Sequence, residues 1–174
     1  MTQTRSGTVV VGVDGSRASV AALVLALREA HEQHQRVEVV TVWAPPTSAG
    51  GGDGGLFMGR AARRRALRVQ TLATTRAVRL AGCHVPITGV LLDGDPADIL
   101  VQAAGDAARL VLGSSRSRTS DGAPAGSVVR RCLTEATCPV LVVPEDTFDE
   151  PHEGSRHPES PGHAHRGGLT HVGT

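Results

Sequence analysis

Five short apolar runs recur along this 174-residue chain, at residues 8–13, 37–43, 86–92, 110–112 and 138–144, with segments of helical composition between them. The first, Thr8-Val9-Val10-Val11-Gly12-Val13, is β-branched and shows no polar alternation, so both of its faces must be covered. Asp14-Gly15-Ser16 breaks the run. Ser16 is placed to cap a helix carrying Val20, Leu23, Val24, Leu27 and His31 at helical spacing. Residues 45–59 hold two prolines and a run of glycines and read as a mobile loop. A second helix is expected over 60–81. A third opens at Pro96, after the turn Asp93-Gly94-Asp95, and runs to about residue 107. A fourth covers 127–136. Strict β-α alternation predicts an α/β fold, a doubly wound, Rossmann-like sheet of five parallel strands with helices on both faces. Its ligand belongs beyond the carboxyl ends of the strands, at the topological switch.

Residues 1–145 are expected to form this one domain, and 146–174 a disordered tail rich in His, Pro and Gly. None of the apolar runs approaches the ~18 residues that cross a bilayer, and residues 1–7 contain no apolar signal region. A cytoplasmic protein without membrane contact is the expectation. Cys83, Cys132 and Cys138 form no CxxC pair and read as free, reduced thiols.

All 18 basic side chains are arginine. Without lysine the chain has neither a Schiff-base residue nor the lysine of a Walker-type phosphate loop. Trp43, Phe57 and Phe148 are its only Phe, Tyr or Trp residues, too few to stack single-stranded bases. A formal net charge of +1 gives no general attraction to nucleic acid or to an anionic membrane.

The segment from Leu112 to Ser127 joins the fourth strand to the last helix. There, free backbone N–H groups and the helix dipole favour an anion. Gly113 and Gly126 let backbone approach a phosphate, Ser127 offers a hydroxyl at the helix N-cap, and Arg116 and Arg118 add charge. On spacing alone the segment reads equally as a solvated loop with an ordinary cap.

Residues 7–145 resemble the universal stress protein family. The resemblance rests on Val9-Val10-Val11-Gly12-Val13-Asp14-Gly15-Ser16, on Gly94-Asp95-Pro96-Ala97, and on Cys138-Pro139-Val140-Leu141-Val142-Val143-Pro144. The family's nucleotide signature, G-x2-G-x9-G-[ST], is matched by Gly113, Gly126 and Ser127 at the correct total spacing, with Arg116 in place of the second glycine. The resemblance implies ATP as ligand, with Mg²⁺ held mainly by the phosphates. Asp14 would accept from the adenine amino group, and Val13 and Val42 would wall the base. Leu112, Gly113, Ser115 and Arg116 would border ribose and phosphates, and Gly126, Ser127 and Val128 would supply helix-terminal donors. The alternative for Asp14 is a helix-capping or Asx-turn role, the valines are core residues under any function, and Arg116 either obstructs or clamps a phosphate.

Other signals are weaker. Arg60, Arg64 and Arg68, with Arg63 adjacent, make a basic helix stripe that reads as a solvated face or as a surface for an acidic partner. His163 and His165 lack the supporting groups of a built metal site, and Cys132 reads as core. Neither GxSxG nor HExxH is present. The leading reading is a nucleotide-binding stress or signalling protein with at most slow ATP hydrolysis. The alternative is an interaction module without nucleotide, a homo- or heterodimer; the resemblance implies pairing through the last strand from Pro139 to Val143, an otherwise exposed apolar edge. An adenylating enzyme of the wider adenine-nucleotide hydrolase-like fold group is a third class, which fold alone does not license.

Overall fold

Apolar runs that cannot divide polar from apolar sides need helices above and below them, and the chain supplies both. The computed structural model describes residues 6–44, 53–114 and 126–148. In chain order the elements are β1 (Ser6–Gly12), α1 (Arg17–Glu32), β2 (Arg36–Trp43), α2 (Asp53–Ala81), β3 (Ile87–Asp93), α3 (Pro96–Ala103), β4 (Ala107–Ser114), α4 (Ser127–Glu135) and β5 (Val140–Pro144), with a 3₁₀ turn at Glu145–Phe148. The five strands form one sheet in the order β3-β2-β1-β4-β5, and every neighbouring pair is parallel. The chain winds outward from β1 to β3, then returns to place β4 on the other side of β1. That reversal, between β1 and β4, is the switch point where a ligand cleft is expected.

Successive β1 side chains serve opposite cores. Val9 and Val11 face Leu23, Val24 and Leu27 of α1 and Ala73 and Ala77 of α2. Val10 faces Leu100 of α3 and Val129 and Cys132 of α4. Cys132 is fully buried, as its sequence setting suggested, and burial pushes its thiol pKa up. None of the three cysteines is joined in a disulfide. Among the described residues no helix is long and apolar enough to cross a membrane.

Several boundaries differ from the sequence expectation, each for a physical reason. Residues 53–59, read as loop, form the first turns of α2, because helix growth from residue 60 adds one hydrogen bond per residue and tolerates the glycines. α3 stops at Ala103, short of residue 107, and β4 begins at Ala107. There the parallel ladder with β1 captures the backbone, and Gly105 weakens the helix. β5 begins at Val140, two residues later than expected. Pro139 donates nothing to the ladder, although its carbonyl accepts from Leu110 N at 2.9 Å. His31, placed with the apolar face of α1, is exposed and meets the His84 carbonyl. Residues 45–52 and the tail beyond Phe148 lie outside the described residues.

Gln70 is a buried polar side chain that ties α2 to the sheet. It is 6 % exposed, and its Nε2 donates to the Val39 and Val90 carbonyls, both at 2.9 Å. Gly89 makes room for it, since a Cβ there would stand 2.8 Å from Gln70 Oε1. Gln70→Leu keeps the volume but leaves both carbonyls without this donor. It is expected to lower folding stability by about 1–3 kcal/mol, read as an earlier urea midpoint at unchanged slope.

Candidate functional site

The carboxyl end of β1 is fastened before the chain turns. Val13 N donates to Val40 O at 2.9 Å, and the buried Thr41 hydroxyl donates to Val13 O at 2.8 Å. Gly15 then takes φ +86°, a conformation that a side chain disfavours, and packs on Val69 of α2. Asp14 Oδ1 accepts from Ser16 N at 2.9 Å, which is the Asx turn. Ser16 caps α1 as expected, its Oγ accepting from Ser19 N at 3.1 Å.

The Asp14 carboxylate stands exposed on the rim. Partial burial pushes its pKa up, but hydrogen bonds from Ser16 and Ser19 outweigh that and hold it below the ordinary carboxylate value. A depressed folded-state pKa contributes stability above the unfolded value, lost as pH falls through the folded one. The stability gap between the native chain and Asp14→Asn is therefore expected to be constant at neutral pH and to shrink on acidification below the carboxylate range. Urea unfolding at neutral and acid pH measures it.

On the other side of the switch, Gly113 lies hard against the first turn of α1. A Cβ at Gly113 would overlap the Ala18 carbonyl group and stand 2.5 Å from Ser19 N. Its glycine is thus required by strand–helix packing, whatever is bound nearby. Gly126 differs. It sits at φ −69°, ψ 124° as the N-cap of α4, a conformation open to any residue, and a Cβ there would meet nothing closer than Val129 Cγ2 at 3.7 Å.

Ser127, expected as the N-cap, is instead the first helical residue, and among the described residues no side chain caps the α4 amides, the cap being Gly126. α1 and α3, by contrast, are capped by Ser16 and Asp95. The cap position is set by backbone angles that spacing alone does not reveal. Arg131 fixes α4 against α3: its guanidinium donates to Asp95 Oδ1 at 2.9 Å and also reaches Asp98 and Glu135, which raise its pKa.

These pieces enclose a cleft of about 400 Å³ at the carboxyl ends of β1 and β4. Of the residues singled out in the sequence, Val13, Asp14, Val42, Leu112, Gly113, Gly126, Ser127 and Val128 all line it. Val13 does so only in part, for it is 3 % exposed and belongs to the core under α1. Ser115 and Arg116 lie outside the described residues. Val40, Pro96, Leu100, Ser114 and Glu145 also line the cleft and were not foreseen. Only the pairing of Gly12 with Val40 and the seating of α3 over the sheet bring the first three there. Two carboxylates, Asp14 and Glu145, border the space, and among the described residues no group of three or more His, Cys, Asp or Glu side chains gathers to hold a metal. An uncapped helix N-terminus on an apolar floor suits an anionic ligand with a flat apolar part.

Comparison with known proteins gives a consistent picture. The profile of the Universal stress protein family matches residues 6–144. Universal stress proteins of Mycobacterium tuberculosis are 36 % identical over 135 residues, 78 % of this chain and 47 % of theirs, so the chain spans about half the length of the curated relatives it matches. A solved universal stress protein in complex with cAMP is 29 % identical and superposes with a TM-score of 0.58, covering 80 % of this chain and 98 % of the other. A universal stress protein family member from Burkholderia pseudomallei is also 29 % identical, with a TM-score of 0.60 over 81 % and 98 %.

Proposed function

The chain belongs to the universal stress protein family, and from that premise we propose that it binds one adenine nucleotide, ATP in the first place, in the β1–β4 cleft. The observation that carries the reading is the α4 N-terminus, which opens on the cleft with a glycine cap and, among the described residues, no side-chain cap. The phosphates take the amides of Ser127, Val128 and Val129, which face away from any intrahelical acceptor. Leu112, Val40 and Val42 give the base an apolar bed. Asp14, with one oxygen committed to Ser16, offers the other to the adenine amino group. That a similar solved protein holds cAMP supports the ligand class.

The two cleft carboxylates stand on different elements, so Mg²⁺ rides on the phosphates rather than on a protein cage. Neither carboxylate is set up as an evident general base, so binding rather than turnover is the function, and ATP hydrolysis is slow. Nucleotide occupancy biases the segment after β4, and with it the surface offered to partners in stress signalling in the cytoplasm. β5 is a sheet edge with half-buried Val140, Leu141 and Val142, which supports pairing of two copies through it.

Calorimetric titration with ATP, AMP, cAMP and GTP, with and without Mg²⁺, tests this reading. Expected is one site per chain, adenine preferred over guanine, and no sustained release of phosphate. No heat with any adenine nucleotide would instead favour the module that works by pairing alone.

A further inference from the structure

Two stretches of this chain carry charge of one sign only. α2 carries Arg60, Arg63, Arg64, Arg65 and Arg68 within nine residues, with no acidic side chain among them. All five are exposed, and none of the ion pairs found among the described residues involves them. Leu67 and Leu72, 46 % and 64 % exposed, sit on the same stretch of helix. The counterpart lies at the far end of the sequence. Glu145, Asp146, Asp149, Glu150 and Glu153 are five acids within nine residues, with no arginine among them.

The fold brings the start of that acidic run to α2. β5 ends at the cleft pole of the sheet and delivers the Glu145–Phe148 turn onto α1. Glu145 there lines a groove with Arg17, Val20 and Val24 of α1 and Arg76 and Leu80 of α2. From Arg76 to the arginines at 68 and 60 is about 12 to 24 Å along the helix. Residues 149–153 span about 17 Å when extended, enough to bring their acids to Arg68 and Arg64, which lie about 12 and 18 Å from Arg76 along the helix. The tether keeps the local concentration of acidic side chains in the millimolar range.

We propose that the exposed arginine face of α2 is the docking surface for the acidic segment 149–153 of the same chain. Asp149, Glu150 and Glu153 pair with Arg68 and Arg64, and the segment covers Leu72, which lies on the same stripe between Arg76 and Arg68. An outside anion competes with a tethered partner of matched charge. The face is thereby withheld from acidic proteins and nucleic acid while the segment is docked. The proposal is independent of nucleotide binding.

The test uses the full, isotope-labelled chain and the backbone amide signals of residues 149–153. Expected in the native protein are shifts and slowed local motion relative to the free segment, lost on adding about 0.5 M salt, which screens exposed pairs. Arg64→Glu with Arg68→Glu is expected to reduce the docked population about tenfold, since exposed pairs are individually weak and act together. Signals of the sheet stay in place as the control for folding. Adding Glu150→Arg and Glu153→Arg to that variant restores docking. Free-segment signals in the native chain, or signals indifferent to both charge reversal and salt, overturn the proposal. Shifts that grow with protein concentration assign the face to a second copy and overturn it as well.

Discussion

A Gly113→Val variant is expected to lose about 3 kcal/mol or more of folding stability, a large fraction of what a domain of this size possesses. The new side chain has nowhere to go. Even its Cβ would overlap the Ala18 carbonyl group and crowd Ser19 N, and these are backbone atoms in the first turn of α1, unable to swing aside. Either α1 lifts from β4, opening the core around Leu23 and Val111, or β4 shifts against β1. Gly59→Ala is the contrast, because nothing lies within 4 Å of a Cβ there. In the body of α2 that change is expected to be neutral or to stabilise by up to about 1 kcal/mol. Equal urea midpoints for the Gly113 variant and the native chain would mean that α1 does not pack on β4 as described.

Gly126→Asp is expected to do the reverse, sparing the fold and removing the ligand. The position has room for a Cβ and ordinary backbone angles, and aspartate is a better N-cap than glycine. Folding stability should hold or rise by a few tenths of a kcal/mol. The same carboxylate would occupy the α4 amides and set a negative charge where phosphates are proposed to sit. Repulsion at that range, in a partly desolvated cleft, is expected to weaken ATP binding about a hundredfold. Unfolding and calorimetry on one preparation read both effects. Unchanged affinity would place the phosphates elsewhere.

These two glycines also show how far the sequence could be read. Their spacing marked them as a pair with one purpose, yet the structure gives Gly113 a packing duty and leaves Gly126 as the unobstructed lip of a helix. Nothing local distinguishes them, because the difference is made by α1, nearly a hundred residues away in sequence. What was legible came from short-range physics: β-branched runs too apolar to have a wet side, a serine directly before a helical run, and prolines and glycines where elements change. The five strands and the α1 cap follow from these.

Elements that depend on partners distant in sequence were not legible. Val40 and Leu100 reach the cleft through strand register and α3 seating. Arg131 clamps α4 to acids 33 and 36 residues away. Gln70 is a buried tie between α2 and two strands, and its carbonyl partners lie 20 and 31 residues away. The early start of α2 at Asp53 escaped because glycines are read as breaks even where an established helix can run through them.

The most direct test of the central claim is where a nucleotide touches the molecule. Backbone amide signals of the isotope-labelled chain would be followed while ATP and Mg²⁺ are added to saturation. The account predicts that the largest shifts gather at Gly12, Asp14, Ser127, Val128 and Val129, on both sides of the β1–β4 switch. Shifts confined to the opposite pole of the sheet, around His31, His34 and His84, or no shifts at millimolar ATP, would contradict it.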